Sequence, residues 1–171
     1  MNNLKDTPER TFFIVLKTLA AHIVLQIVGI QLLVSSSLFV ESNSLSGMVV
    51  FGILLGAYFY SGYWMTSKKA LWYQYTAIAG LGIALWLICY SGSPDAMGAN
   101  SADRKGGIWA LYQMYIIALA APLEKVANPL FDWYNTPKST MFGLGILCLL
   151  PSLMQYCGAV LKNKKSNNYN L

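Results

Sequence analysis

Apolar residues fall in four long runs, 18–40, 45–65, 70–90 and 140–161, separated by two short polar breaks and one long polar loop. Between Lys17 and Glu41 lie 23 residues without a formal charge apart from the titratable His22. At about 1.5 Å per helical residue such a run reaches about 34 Å, enough to cross a bilayer. It exceeds the apolar core of a secretory signal, roughly 7–15 residues, although Ser35 and Ser37 have the small-x-small spacing of a cleavage site. Ser67, Lys68 and Lys69 form a tight basic turn between the second and third runs, which predicts an antiparallel helical hairpin. Tyr58, Tyr60, Tyr63 and Trp64 precede that turn and Trp72, Tyr73 and Tyr75 follow it. Rings at such positions are expected to form a headgroup-level aromatic belt.

The loop 91–139 opens with turn formers, Ser91-Gly92-Ser93-Pro94-Asp95, and contains one short apolar stretch, Ile108 to Leu123, of 16 residues with Gln113 and Pro122 inside it. That is short for a span. With four spans, eight basic residues (Lys5, Arg10, Lys17, Lys68, Lys69, Lys162, Lys164, Lys165) share one side against four on the other; five spans give seven against five. The bias toward a basic cytoplasmic face favours four spans, with both termini in the cytoplasm and 108–123 as an interfacial or re-entrant helix on the outer face. The alternative is five transmembrane helices, the fifth short and tilted. The fold class expected is therefore an all-α integral membrane protein, a four-transmembrane-helix bundle in one polytopic domain covering residues 1–171.

Composition agrees with this architecture. Of 171 residues 56% are hydrophobic and 11% charged, against about 25% charged in an average soluble domain. The net charge of +5 is dispersed in small clusters between apolar runs, so nucleic acid is not an expected partner. Lipid bilayer is, and the default location is a bacterial cytoplasmic membrane as a multi-pass protein.

Helices in lipid associate through small residues and interhelical hydrogen bonds. Gly52 and Gly56 make a G-x-x-x-G pair on the second run, Ala77, Gly80 and Ala84 a small-residue stripe on the third, and Gly143 with Gly145 does the same on the fourth. Packing within the chain is the simpler expectation for these stripes; docking of another membrane protein's helix is the other. Thr18, His22 and Gln26 recur every four residues and share one face of the first helix, which Gly29 continues. Cys148, Ser152 and Gln155 do so on the fourth, interrupted by Pro151, which removes a backbone donor and predicts a kink. The two faces are expected in the bundle interior. His22 has two readings, a proton-responsive or ligand-binding group, or a side chain near the cytoplasmic interface bonded to Gln26 or headgroups. The second is preferred, because a lone His without an intramembrane carboxylate makes a poor proton relay.

Motifs for chemistry are sparse. One histidine and three cysteines 59 and 9 residues apart do not converge on a metal, so no metal or cofactor is expected. The layout is shared with quinone-linked disulfide oxidoreductases, but the outer loop lacks the paired cysteines their exchange requires. No glycine pair is followed by a phosphate-binding lysine. Glu124, Asp132 and Trp133 are the outer-face candidates, with Glu124 or Asp132 as the acid or base of an interfacial enzyme, though adjacent opposite charges such as Glu124 and Lys125 ordinarily serve as solvated anchors. The leading expectation is a non-enzymatic membrane protein that binds another membrane protein or itself, as an accessory subunit, immunity or exclusion factor, or regulator. A small transporter or homo-oligomeric pore lined by Gln26 and Gln155 is the alternative, and an interfacial enzyme the second alternative.

Overall fold

A computed structural model describes residues 8–39, 44–66, 71–91, 112, 114–120, 122 and 145–168. Among them every regular element is helical. Helix α1 spans Pro8–Phe39, α2 Ser44–Met65, α3 Thr76–Ser91 and α4 Leu149–Asn168. Among the described residues three helices are long and apolar enough to cross a membrane, over Glu9–Leu32, Gly47–Met65 and Gly145–Lys164, and α3 is a shorter apolar helix of 16 residues. The basic turn Lys68–Lys69 lies outside the described residues.

The third helix starts later than its apolar run. Trp72–Gln74 is a 3-10 turn, in which Gln74 N–H donates to the Leu71 carbonyl and Tyr75 N–H to that of Trp72, both at 3.0 Å. The Thr76 hydroxyl donates to the Tyr73 carbonyl at 2.9 Å. Local bonds of this kind compete with an α-helix and set its first residue. Thr66, just past α2, meets the Tyr75 hydroxyl at 2.6 Å and closes the base of the hairpin.

Pro151 acts as expected of an interrupting proline. The helical residues 145–147 stop at Cys148, and the continuous helix begins at Leu149. Proline lacks the N–H that would reach back four residues, and within a first helical turn that loss is tolerated. The Cys148 thiol donates to the Gly145 carbonyl at 2.8 Å, supplying a partner at the break.

Contacts fix the direction of every helix. Gly29 of α1 faces Leu54 of α2 and Gln26 reaches Tyr58, while Lys17 lines the same groove as Trp64 and Met65, so α1 and α2 are antiparallel. Between α3 and the fourth helical stretch, Ala79 meets Ser152, Gly82 meets Cys148, and Gly145 meets Trp86, again antiparallel. Ile14, Tyr75 and Ala159 form one cluster, and Lys162 Nζ approaches the Trp64 carbonyl at 3.4 Å. The start of α1, the end of α2, the start of α3 and the end of α4 therefore gather at one end of the bundle. The end of α3 and residue 145 lie at the opposite end, so the intervening chain leaves and returns there.

The closest backbone approach is between α2 and α4. A β-carbon on Gly62 would overlap the Gln155 backbone, and one on Gly158 the Phe59 carbonyl. Glycine at both positions is what lets these helices touch main chain to main chain. Polar side chains are buried among the apolar core while many apolar ones face outward: Thr18, His22, Gln26, Ser152 and Gln155 are buried, and Phe12, Ile23, Ile27, Val49, Ile53, Leu87 and Ile88 are exposed. Water would favour the reverse arrangement, and a hydrocarbon surrounding favours this one.

Candidate functional site

The interior site is organised around residues 114–120, a helical segment that packs into the bundle with Met114 left exposed. Tyr112, Ile116, Ala118, Leu119 and Pro122 are buried, on more than one side of the segment. Of the two forms expected for this stretch, interfacial or re-entrant, burial among the other helices disfavours the interfacial one. The physical reason is on α1: the polar side chains of that helix are directed at the segment's backbone, and Gly29 leaves room for Ala118.

Four side-chain hydrogen bonds tie this interior together. Ala118 N–H donates to Gln26 Oε1 at 3.0 Å, and Gln26 Nε2 donates to the Tyr58 hydroxyl at 3.2 Å. The Tyr58 hydroxyl lies 2.8 Å from His22 Nδ1, and His22 Nε2 lies 3.2 Å from the Tyr115 carbonyl. A carbonyl only accepts, so Nε2 must carry the hydrogen; Nδ1 of the neutral ring then accepts from Tyr58. Every direction is thereby fixed, in a circuit that starts at Ala118 N–H and ends at Tyr115 C=O three residues earlier. His22 and Gln26 are 2% and 6% exposed and Tyr58 fully buried. In so dry a setting an unmet donor or acceptor is costly, which makes the complete circuit a device for fixing the segment's position. The Tyr115 ring lies 4.6 Å from that of His22, and its hydroxyl donates to the Ile78 carbonyl of α3.

On the opposite side Ser152 Oγ accepts from Ala79 N–H at 2.9 Å, within the first turn of α3, where backbone donors are in excess. Gln155 Nε2 donates to Ser61 Oγ at 3.2 Å, and the Ser61 hydroxyl donates to the Tyr58 carbonyl at 2.7 Å. Gln155 Oε1 finds no hydrogen-bond partner among the described residues. The polar faces of α1 and α4 are thus both interior but engaged separately, one on Tyr58 and residues 114–120, the other on α2 and α3.

Comparison with family models, with curated proteins and with solved structures finds no match. The site is therefore read from its geometry.

The small-residue candidates divide sharply. Gly52, Gly56, Gly80 and Ala84 are exposed, and a β-carbon on any of the three glycines meets nothing within 4 Å. Ala77 is half-buried. Within the described bundle Gly145 of the fourth stripe does pack inside the chain, against Trp86, alongside Gly29, Gly62, Gly82 and Gly158, whereas Gly52, Gly56 and Gly80 have no such neighbour, which corrects the expectation of intramolecular pairing for those three alone. Gly143, Glu124, Asp132 and Trp133 lie outside the described residues.

Tyr58 and Tyr75, expected in the aromatic belt, are both interior. Tyr60, Trp64, Trp72 and Tyr73 do point outward. The signal that separates them is register: Val50, Leu54, Tyr58 and Gly62 share one face of α2, and Tyr60 is off it. Among the described residues His22 meets Gln26 through Tyr58, where the expectation was a bond to Gln26 or to headgroups. Among the described residues no three His, Cys, Asp or Glu side chains come together; Cys89 and Cys148 are buried and Cys157 exposed, and none of the three is in a disulfide.

Proposed function

We propose that this chain is a non-enzymatic, multi-pass membrane protein that works by binding another membrane protein through the outward face of α2. The observation that carries this reading is the unused G-x-x-x-G pair, Gly52 and Gly56, exposed on a helix whose packing partners lie on its other side. A glycine within a helix costs about 1 kcal/mol relative to alanine, a cost recovered where another backbone comes close. Within this chain Gly62 has such a neighbour and Gly52 and Gly56 have none described.

The buried polar circuit supports a structural role for the interior. Gln26 bonds through both ends of its amide to groups within the chain, which leaves it to hold residues 114–120 in place. In this reading the protein crosses the membrane four times, with 114–120 inserted from the outer side as a re-entrant element. The shared end of α1, α2, α3 and α4 carries Arg10, Lys17, Lys162 and Lys164, which supports a cytoplasmic placement for that end and for both termini. A bacterial cytoplasmic membrane is the proposed location.

Replacing Gly52 and Gly56 by isoleucine tests the reading. The expected result is a protein of unchanged thermal stability that no longer co-isolates with its membrane partner. A partner retained at wild-type level by the double variant would exclude this face.

A further inference from the structure

A groove of about 720 Å³ opens between α1 and α2, lined by Lys17, Ala20, Ala21 and Leu25 of α1 and by Ser61 and Trp64 of α2. Its volume falls in the range of about 300–1,000 Å³ that holds small ligands. The eight helical steps from Lys17 to Leu25 make it about 12 Å long, running from the basic end of the bundle toward its middle. The small side chains of Ala20 and Ala21 leave the space, and the apolar walls suit a hydrocarbon chain. At the mouth stand the Lys17 ammonium and the exposed Trp64 ring. Lys162 brings a second ammonium to the same end, 3.4 Å from the Trp64 carbonyl and 5.7 Å from the Tyr63 ring centroid. The described acid near this end, Glu9, sits two helical turns before Lys17 on α1.

We propose that this groove binds one anionic glycerophospholipid, its acyl chain along Ala20, Ala21 and Leu25 and its phosphate at Lys17 beside Trp64. Charge complementarity selects the headgroup: an ammonium near the membrane surface attracts anionic lipid and gives a zwitterionic one no such preference. An indole at headgroup level and a lysine stem laid along apolar surface both suit a lipid at that depth. Ser61, half-buried in the wall, offers its hydroxyl oxygen to the interior through Gln155 and leaves the groove to the chain.

Native mass spectrometry of the full chain, released from vesicles holding equal phosphatidylglycerol and phosphatidylcholine, tests this directly. The wild-type protein is expected to retain phosphatidylglycerol in preference. Lys17→Gln should lower that retention about fivefold without affecting phosphatidylcholine, and Ala20→Phe should fill the groove and remove bound lipid of either kind. Lys17 and Ala20 are both exposed, so neither substitution disturbs the interior, and circular dichroism checks the helix content. Should Ala20→Phe not fold, Lys17→Gln decides alone. Equal retention of the two lipids by the wild type, phosphatidylglycerol retention unchanged by Lys17→Gln, or a lipid-free dimer in their place would overturn the proposal.

Discussion

The Tyr58 hydroxyl donates to Nδ1 of His22 at 2.8 Å, and this one bond joins α1 to α2 in the middle of a circuit that holds residues 114–120. Its direction follows from the far side of the ring, where Nε2 faces the Tyr115 carbonyl. A histidine held in this way is a structural part, oriented at both nitrogens by groups of the same chain.

The tautomer is directly observable, because His22 is the only histidine in the sequence. Nitrogen-15 spectra of the protein in lipid at neutral pH should show a neutral ring with hydrogen on Nε2 and a bare Nδ1. A signal with hydrogen on Nδ1 would reverse the bond to Tyr58 and break the derived circuit.

Removing the Tyr58 hydroxyl leaves His22 Nδ1 and Gln26 Nε2 unmet in a dry interior. Tyr58→Phe should destabilise the protein by about 1–2 kcal/mol, within the range of interhelical hydrogen bonds in membranes and of unmet buried polar groups. Gln26→Leu removes two bonds of the same circuit, so the double variant should fall short of the sum of the two losses. Unfolding titrations in detergent measure both. Strict additivity would show that the two residues act independently.

Glycine substitutions should separate the two kinds of helix face. A β-carbon at Gly62 overlaps the Gln155 backbone, so Gly62→Ala forces α2 and α4 apart and should cost about 1–3 kcal/mol, the range of overpacked cores. Gly52→Ala meets open space and should leave thermal stability unchanged or raise it, by up to about 1 kcal/mol. Comparable losses at the two positions, measured by thermal melting, would place α2 differently.

Helix direction predicts labelling. With the native cysteines replaced, Ser91→Cys and Gly145→Cys should react with a membrane-impermeant maleimide from the same side of the membrane, and Glu9→Cys from the other. Ser91 and Gly145 reacting from opposite sides would mean that the loop between them crosses the bilayer once.

Much of this fold is legible in the sequence because the membrane demands continuous apolar helices and restricts polar residues to the interior. The four-residue recurrence of Thr18, His22 and Gln26 locates the buried face of α1 without a structure, and Pro151 marks the break before Leu149. Tertiary partners are another matter. Gly52 and Gly62 are equally small and equally helical, and only the position of α4 makes one a packing contact and leaves the other open. Tyr58 lies two residues from Tyr60 beside the same basic turn, and its burial follows from a register shared with Leu54 and Gly62 rather than from its own chemistry. Residues 108–123 are too short and too mixed for hydropathy to place, since their position is set by bonds from α1 to their backbone.

Site-specific photo-crosslinking in intact cells tests the central claim most directly. A photoreactive residue at position 52 or 56 of α2 should form an adduct with a single heterologous membrane protein, and one at position 23, on the outward face of α1, should not. Adducts with lipid alone at positions 52 and 56, or the same protein captured equally from position 23, would contradict a partner-binding face on α2.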